Sequence, residues 1–181
     1  MRDELVAALE AMLVTAGSTV TEASVAEAMD DPAIGVGEVR EALERIGGMW
    51  DRPDSGLRLE RVADGWRCMT SPSLDPYLRA FHGVTARQRL SQAALEVLAI
   101  VAHRQPVTLP EINFIRGANS ASVLRTLLDR RLLRLAGRKK VVGKPFLYRT
   151  SREFLIHFGL ERPEDLPDPE ELVKDEAAAI E

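Results

Sequence analysis

Apolar residues recur every three or four positions along residues 3–16, a spacing that predicts an amphipathic helix ended by Gly17. A second helix is predicted to follow Thr21, whose hydroxyl suits an N-cap, and to run to Met29. A third is predicted over residues 37–46, where Gly47-Gly48 would end it. The chain is therefore predicted to open with three small helices.

The pattern then changes from helical spacing to alternation, which indicates two strands. The dipeptide Asp64-Gly65 is typical of a two-residue hairpin turn between them. That turn would set three pairs of residues opposite each other: Ala63 and Trp66, Arg61 and Cys68, and Leu59 and Thr70. A short helix over residues 76–81 and a polar linker over residues 83–90 are predicted to follow.

The same order of elements returns in the second half of the chain. Ser91 is predicted to cap an apolar helix over residues 93–102. Thr108 and Glu111 have the spacing of a capping box at the start of a short helix, which Gly117 would end. Ser120 would open the third helix, with an apolar face made of Val123, Leu124, Leu127 and Leu128.

A second hairpin and a last helix complete this copy. Leu133 and Leu135 are predicted to begin one strand, and apolar and polar positions alternate along its partner at Phe146, Tyr148 and Thr150. Thr150 and Glu153 have the spacing of another capping box, which would open a helix over residues 151–158.

The two copies align on a Val-Thr pair, because Ser18-Thr19-Val20-Thr21 matches Gln105-Pro106-Val107-Thr108. In this alignment Val25 falls on Ile112 and Ala28 on Ile115, apolar positions of the short helix. Three small helices closed by a hairpin form a winged helix, a relative of the helix-turn-helix that binds DNA or proteins. The predicted fold class is mainly α with small β-hairpins, arranged as two tandem winged-helix domains.

Charge differs sharply along the chain, whose net charge is −4. Residues 1–83, the predicted first domain, hold 8 Lys/Arg and 15 Asp/Glu; residues 84–160, the second, hold 14 and 4. Residues 161–181, predicted to be a disordered acidic tail, hold 2 and 9. The second domain would attract a phosphate backbone, and an acidic protein partner would suit it equally well.

The third helix of each copy is the element that would contact DNA in a winged helix. In the first copy its outward positions include Glu38, Glu41 and Glu44, which argues against a DNA contact. In the second copy the outward residues are Ser122, Arg125, Thr126 and Arg130. Arg125 and Arg130 are therefore candidate nucleic-acid-binding residues, with solvation of an exposed helix as the ordinary alternative.

The tip of the second hairpin is strongly basic and holds Arg138, Lys139, Lys140 and Lys144. Such a tip fits a phosphate backbone or an acidic protein surface, and it would also keep a flexible loop soluble. Phe146 and Tyr148 lie on one face of the strand that follows. Core packing is the ordinary role of such a pair, and an exposed partner-binding surface is the alternative.

Catalysis finds little support in the sequence. His82, His103 and His157 lie far apart, with no spaced carboxylate or cysteine to complete a metal site. Cys68, the one cysteine, is predicted to be a small buried side chain in a strand. No phosphate-binding glycine loop, nucleophile elbow, signal peptide or membrane-length apolar run occurs. We predict a cytoplasmic, non-enzymatic protein with no cofactor, metal, small-molecule substrate or membrane contact.

Several segments of the second copy, taken in order, give a more specific indication of which family the sequence resembles. They are residues 91–100, 104–108, 115–117, 123–128, 137–138 with 143–148, 153–160 and, in the tail, 164–167. Together they resemble the segregation and condensation protein B family. The first copy matches that family mainly in layout, from Leu9-Glu10-Ala11 through the hairpin to Pro76-Tyr77-Leu78.

The resemblance implies a subunit of the bacterial chromosome condensation complex. In that family each chain has two winged-helix domains, chains form a homodimer through their first domains, and the dimer binds the kleisin subunit ScpA. The kleisin in turn bridges a dimer of SMC ATPases. For this chain it implies dimerisation through residues 1–83, partner binding through residues 84–160, a cytoplasmic location at the nucleoid, and weak or indirect DNA contact.

This sequence departs from the family pattern at Lys139-Lys140-Val141-Val142, where a more acidic or proline-bearing tip is expected. We predict kleisin contacts from side-chain chemistry at Arg138, Lys139, Lys140, Lys144, Phe146, Tyr148, Phe154 and Phe158. The alternative function is a DNA-binding winged-helix transcriptional regulator that would use the second domain. The acidic first domain and tail favour the kleisin-binding subunit.

Overall fold

A computed structural model describes residues 2–83 and 89–168, and the chain divides into two compact units between Gln88 and Arg89. The first unit contains α1 (Arg2–Thr15), α2 (Glu22–Met29), α3 (Val36–Trp50), β1 (Leu57–Val62), β2 (Gly65–Thr70) and α4 (Asp75–His82). The second contains α5 (Gln92–Arg104), β3 (Val107–Thr108), α6 (Leu109–Arg116), α7 (Ala121–Asp129), β4 (Leu133–Arg138), β5 (Phe146–Thr150) and α8 (Arg152–Phe158). Of the predicted linker, residues 84–88 lie outside the described residues.

The same backbone pairing closes both units. In the first, Val20 and Trp66 exchange two hydrogen bonds, Val20 N–H to Trp66 O at 2.8 Å and Trp66 N–H to Val20 O at 2.7 Å. In the second, β3 pairs antiparallel with β5, with Val107 opposite Tyr148. The threonine after each valine then caps the short helix. Both units are winged helices, which confirms the predicted fold class and the Val-Thr repeat.

Each unit has its own apolar core on the inner faces of its three helices. In the first unit Leu9, Leu43 and Ile46 are completely buried. In the second, the fully buried side chains include Val97, Val101, Ile112, Leu124 and Leu127. Because these residues recur every three or four positions, each helix buries one face and leaves the other to solvent.

The predicted turn of the first hairpin is wrong by one residue. Ala63 and Asp64 occupy the turn, with φ of 50° and 59°. The pairs are therefore Val62 with Gly65, Arg61 with Trp66, Leu59 with Cys68 and Leu57 with Thr70. Gly65 has a different role, because a Cβ there would lie 3.0 Å from the Val20 carbonyl oxygen. Glycine lets the segment before α2 pair closely with the hairpin.

The predicted end of the third helix is also wrong, because α3 continues through Gly47-Gly48 to Trp50. Met49 and Trp50 pack against the first core. Partial burial of these two large side chains outweighs the helix cost of two glycines, which is about 1 kcal/mol each. The two glycines locally favour the end of the helix, but packing against the core extends it past them.

The second capping box and the tail need corrections too. Ser151, rather than Thr150, caps α8 by accepting a hydrogen bond from Phe154 N–H at 3.1 Å. Thr150 is the last residue of β5 and donates from N–H and Oγ1 to the Gln105 side chain. Residues 161–168, the first part of the tail predicted to be disordered, include a 3-10 helix at Pro163–Asp165. Residues 169–181 lie outside the described residues.

Glu111 links α6 to the tip of the second hairpin. Its carboxylate accepts a hydrogen bond from the Lys139 ammonium. It also accepts from Thr108 N–H at 2.8 Å and from Thr108 Oγ1 at 2.7 Å, as the capping box predicts. The bond from Lys139, followed by those from Thr108, lowers the pKa of Glu111 from 4.5 to about 2.

This depressed pKa predicts a pH-dependent contribution to stability. A carboxyl whose pKa falls on folding contributes stability above its unfolded value, about 4.5, which is lost as pH falls towards 2. Glu111→Gln should lower Tm by a few degrees at pH 7, and the gap to wild type should close between pH 4.5 and 2. Glu153→Gln, an exposed carboxylate in the first turn of α8, is the matched control. A Tm gap for Glu111→Gln that is independent of pH would contradict the prediction.

Alanine substitutions at Gly65 and Gly48 should change the stability of the protein in opposite directions. Gly65→Ala should destabilise the protein by about 1–3 kcal/mol, since the new methyl would press on the Val20 carbonyl. Gly48→Ala should stabilise it by about 0.5–1 kcal/mol, because Gly48 lies inside α3 with nothing within 4 Å of a Cβ. Urea unfolding of both variants measures this. Equal effects would show that the close approach at Gly65 is unimportant.

Candidate protein-binding surface

The aromatic strand of the second hairpin leaves the core towards its tip. Thr150 at one end of β5 is buried, Tyr148 is half-buried, and Phe146 at the other end is 40 % exposed. All three side chains lie on the same face, so their exposure increases as the hairpin extends beyond the helices. The prediction of core packing is therefore wrong for Phe146, whose ring lies at the surface. The Arg138 guanidinium carbon lies over this ring, 3.8 Å from its centroid.

The four cations of the hairpin tip divide into two pairs. Arg138 stacks on Phe146 and donates from its guanidinium to the Lys144 carbonyl oxygen at 2.9 Å, and Lys139 pairs with Glu111. These two side chains hold the tip in place. Lys140 and Lys144 are exposed, and no carboxylate among residues 2–83 and 89–168 forms an ion pair with either. Within the described part of the chain, no carboxylate therefore competes with a partner for their charge.

A second exposed apolar feature lies on α6, where the sequence patterns gave no binding prediction. Phe114 is 89 % exposed and lies on the face opposite Ile112, which is completely buried; Ile115, at the edge between the two faces, is 51 % exposed. The repeat contained a signal for them, because aligning Val25 with Ile112 sets Phe114 on Glu27. The second copy thus carries an aromatic ring where the first carries a charge.

The ion pair between Lys139 and Glu111 brings these two features together. Glu111 lies one helical turn before Ile115 on α6, so the hairpin tip lies beside the exposed side of that helix. We name this region the α6–wing surface and define it as Phe114 and Ile115 together with residues 138–146. Val142 at the tip is fully exposed. The surface combines apolar side chains with two lysines, Lys140 and Lys144, that pair with no carboxylate of the described residues.

The last helix, α8, contributes fewer residues to the candidate binding surface than the sequence predicts. Phe154 is 2 % exposed and belongs to the core of the second unit, so we exclude it from the candidate surface. Phe158, whose ring centroid lies 4.7 Å from that of Phe154, is 44 % exposed. The helix faces inward at Phe154 and Leu155, which are its two buried residues.

Exposed arginines lie elsewhere on the same unit. Arg134 on β4 is directly opposite Arg149 on β5, and both side chains are exposed. Like charges paired across two strands repel each other, so this pair favours an anionic ligand. The predicted outward residues Ser122, Arg125, Thr126 and Arg130 of the α7 region are exposed, as are Glu38, Glu41 and Glu44 of α3. The outward residues of α3 thus include three carboxylates, whereas those of the α7 region include two arginines, opposed by the exposed Asp129.

Metal binding, cysteine chemistry and membrane spanning were each considered for the described residues. Residues 2–83 and 89–168 contain no group of three His, Cys, Asp or Glu side chains placed to hold a metal. Burial raises the pKa of the half-buried Cys68 thiol, which disfavours the nucleophilic thiolate. In the same residues no helix is both long and apolar enough to cross a membrane.

Comparisons with known proteins identify the family of this chain. A family model described as segregation and condensation complex subunit ScpB matches residues 7–169. The segregation and condensation protein B of Syntrophotalea carbinolica is 41 % identical over 172 residues, which cover 94 % of this chain and 85 % of that relative.

Two solved structures are also similar to this chain. The crystal structure of ScpB from Mycobacterium tuberculosis is 36 % identical, with a TM-score of 0.42 over 88 % of this chain and 98 % of that one. A structure described as a dimer of the ScpB N-terminal domain complexed with ScpA peptide is 20 % identical, with a TM-score of 0.40 over 44 % of this chain and 95 % of that one. On the family match and the sequence identity, this chain belongs to the segregation and condensation protein B family.

Proposed function

We propose that this chain is a non-enzymatic, homodimeric subunit of a bacterial SMC–kleisin complex and that it binds the kleisin ScpA. Membership of the segregation and condensation protein B family supports the role in chromosome segregation and condensation. The kleisin would connect the chain to the SMC ATPase, which would supply all ATP chemistry. The complex would act in the cytoplasm at the nucleoid.

The α6–wing surface is the observation that carries the kleisin-binding proposal. Phe114 and Ile115 offer exposed apolar area, which a partner would cover at the centre of an interface. Lys140 and Lys144 are exposed at the hairpin tip, which the Lys139–Glu111 ion pair joins to α6, and would attract carboxylates at the rim of the interface. The matching ligand is an acidic segment with apolar side chains. Phe146, Tyr148 and Phe158 would extend the contact along the hairpin and α8.

We assign dimerisation to residues 1–83, as the family resemblance implies. The first domain is small, and association of two copies would add to its limited core. Its net charge of −7 also separates its role from that of the second domain. Residues 84–160 would then remain available to the kleisin in each protomer.

DNA contact is a second candidate function, supported by Arg134 and Arg149 and by the exposed Arg125 and Arg130 on the α7 side. We propose that this contact is weak and independent of sequence. The carboxylates of α3 would prevent the first domain from reading a groove, and a repressor that binds a palindrome needs two reading helices. A transcriptional regulator is thus the less favoured function.

Kinetics against purified ScpA from the same organism test the kleisin proposal. Phe114→Asp should raise Kd at least about 30-fold, mainly through faster dissociation, because a central anchor is worth about 2 kcal/mol or more. Lys140→Glu with Lys144→Glu should instead slow association and flatten its salt dependence. Leu95→Asp changes an exposed apolar residue on α5 of the same unit and is the control. Normal kinetics in both test variants would remove the α6–wing surface from the interface.

Binding to a random-sequence duplex tests the DNA proposal. Affinity should be weak and should fall steeply with salt, as counterion release requires. Arg134→Glu with Arg149→Glu should reduce the slope of log affinity against log salt by about 2, because each arginine would neutralise one phosphate. Fluorescence anisotropy at several salt concentrations measures both quantities. Nanomolar, sequence-selective binding at physiological salt would support the regulator instead.

A further inference from the structure

The residues that follow Asp168, the last described residue, form a short acidic segment with apolar side chains. Residues 169–181 contain one Lys and five Asp/Glu, a net charge of −4, together with the large apolar residues Leu172, Val173 and Ile180. Such a segment matches the α6–wing surface, because apolar area suits the centre of an interface and cations suit its rim. The chain therefore contains, in its own sequence, a candidate ligand for that surface.

Charge selects the second unit rather than the first as the place where this segment docks. Residues 1–83 hold 8 Lys/Arg and 15 Asp/Glu, a net charge of −7 that repels the segment. Residues 84–160 hold 14 Lys/Arg and 4 Asp/Glu, a net charge of +10 that attracts it. The exposed rings of Tyr77 and Phe81 on α4 therefore lie in the half of the chain that is less favourable for it.

Exposed apolar area selects the α6–wing surface within the second unit. Among residues 89–168, eight large apolar side chains are exposed, and five of the eight belong to this surface. The other three are dispersed over α5, β4 and α8, at Leu95, Leu135 and Phe158. Lys140 and Lys144 lie at the same hairpin tip, and neither pairs with a carboxylate of the described residues. The surface thus offers both kinds of contact that the segment needs.

The segment is long enough to reach this surface from its attachment at Asp168. A chain of 13 residues extends to about 43 Å. A folded unit of 80 residues, the length of residues 89–168, has a radius of gyration of about 12 Å, which gives a diameter of about 30 Å. Most of the surface of the unit is therefore within reach. A tether this short gives an effective concentration of about 1 mM, so a contact with an intrinsic Kd of about 0.2 mM would be occupied most of the time.

We propose that residues 169–181 dock on the α6–wing surface of their own chain and compete with the kleisin for it. The apolar side chains of the segment cover Phe114, and its carboxylates pair with Lys140 and Lys144. In the free chain the segment shields this surface, and the kleisin must displace it to bind. The competition rests on the proposed kleisin site, whereas the docking of the segment does not.

Paramagnetic relaxation in the full-length chain tests the docking without any partner. A nitroxide is attached to Ala178→Cys within the segment, in a chain whose one native cysteine is removed by Cys68→Ala. The strongest relaxation enhancement outside the segment should fall on the amides of residues 112–116 and 140–145. Strongest enhancement on α7 or on residues 2–83, or no enhancement outside the segment, would overturn the docking.

A mixed sample separates docking within one chain from docking between two chains. It combines equal amounts of an isotope-labelled chain without the nitroxide and an unlabelled chain that carries it. Docking within one chain predicts no enhancement at residues 112–116 and 140–145 in this sample. Enhancement at those residues would assign the surface to the segment of another copy and would overturn the proposal.

Affinity for purified ScpA tests the competition. Glu170→Gln with Glu171→Gln and Glu176→Gln should lower Kd by about 3- to 10-fold, because the surface is then free in most molecules. Leu172→Ser with Ile180→Ser, which changes no charge, should act in the same direction. The matched control, Glu170→Asp with Glu171→Asp and Glu176→Asp, keeps the charge and should leave Kd unchanged.

The two measurements distinguish failure of this inference from failure of the proposed function. Docking of the segment with unchanged ScpA affinity in both test variants would show that the kleisin binds elsewhere, and would overturn both the competition and the proposed kleisin site. Absence of docking, together with a loss of ScpA affinity in Phe114→Asp, would overturn the role of the segment alone and leave the proposed function standing.

Discussion

The structure of each unit depends on one short piece of backbone pairing, between the valine before the short helix and the returning strand of the hairpin. Val20 meets Trp66, and Val107 meets Tyr148. The following threonine then begins the short helix, so one pairing fixes both the hairpin and the helix against the same core. In the second unit Glu111 extends this connection to the hairpin tip. The relative position of α6 and the hairpin, and with it the α6–wing surface, follows from this pairing.

Much of this arrangement can be predicted from the sequence, because it depends on local spacing and caps. The capping box at Thr108, the Val-Thr repeat and the helices are as expected, apart from the end of α3 and the cap of α8. The errors occur where a distant part of the chain decides. Gly65 is required by the close approach of Val20, and α3 passes two glycines because Trp50 packs on the core. Neither contact is visible in the residues next to it.

Side-chain exposure was the hardest property of the candidate site to predict, for a similar reason. Phe146 and Phe154 are both aromatic residues in apolar patterns, yet one lies at the surface and the other in the core. Their difference depends on how far the hairpin extends beyond the helices, which strand alternation does not specify. Phe114 could have been found by comparing the repeats, since a ring replaces the charge of Glu27. Divergence between two copies of one fold marks surfaces that packing does not constrain.

The two units therefore share a fold and differ in the side chains that they expose. The first exposes carboxylates on α3, and the second exposes cations at the hairpin tip beside the apolar side of α6. Hydrogen exchange of the full-length chain, free and bound to purified ScpA, tests the proposed kleisin site most directly. Binding through the α6–wing surface should slow exchange of amides in residues 109–116 and 138–146. Protection confined to α7, or to residues 2–83, with no change in those two segments would contradict it.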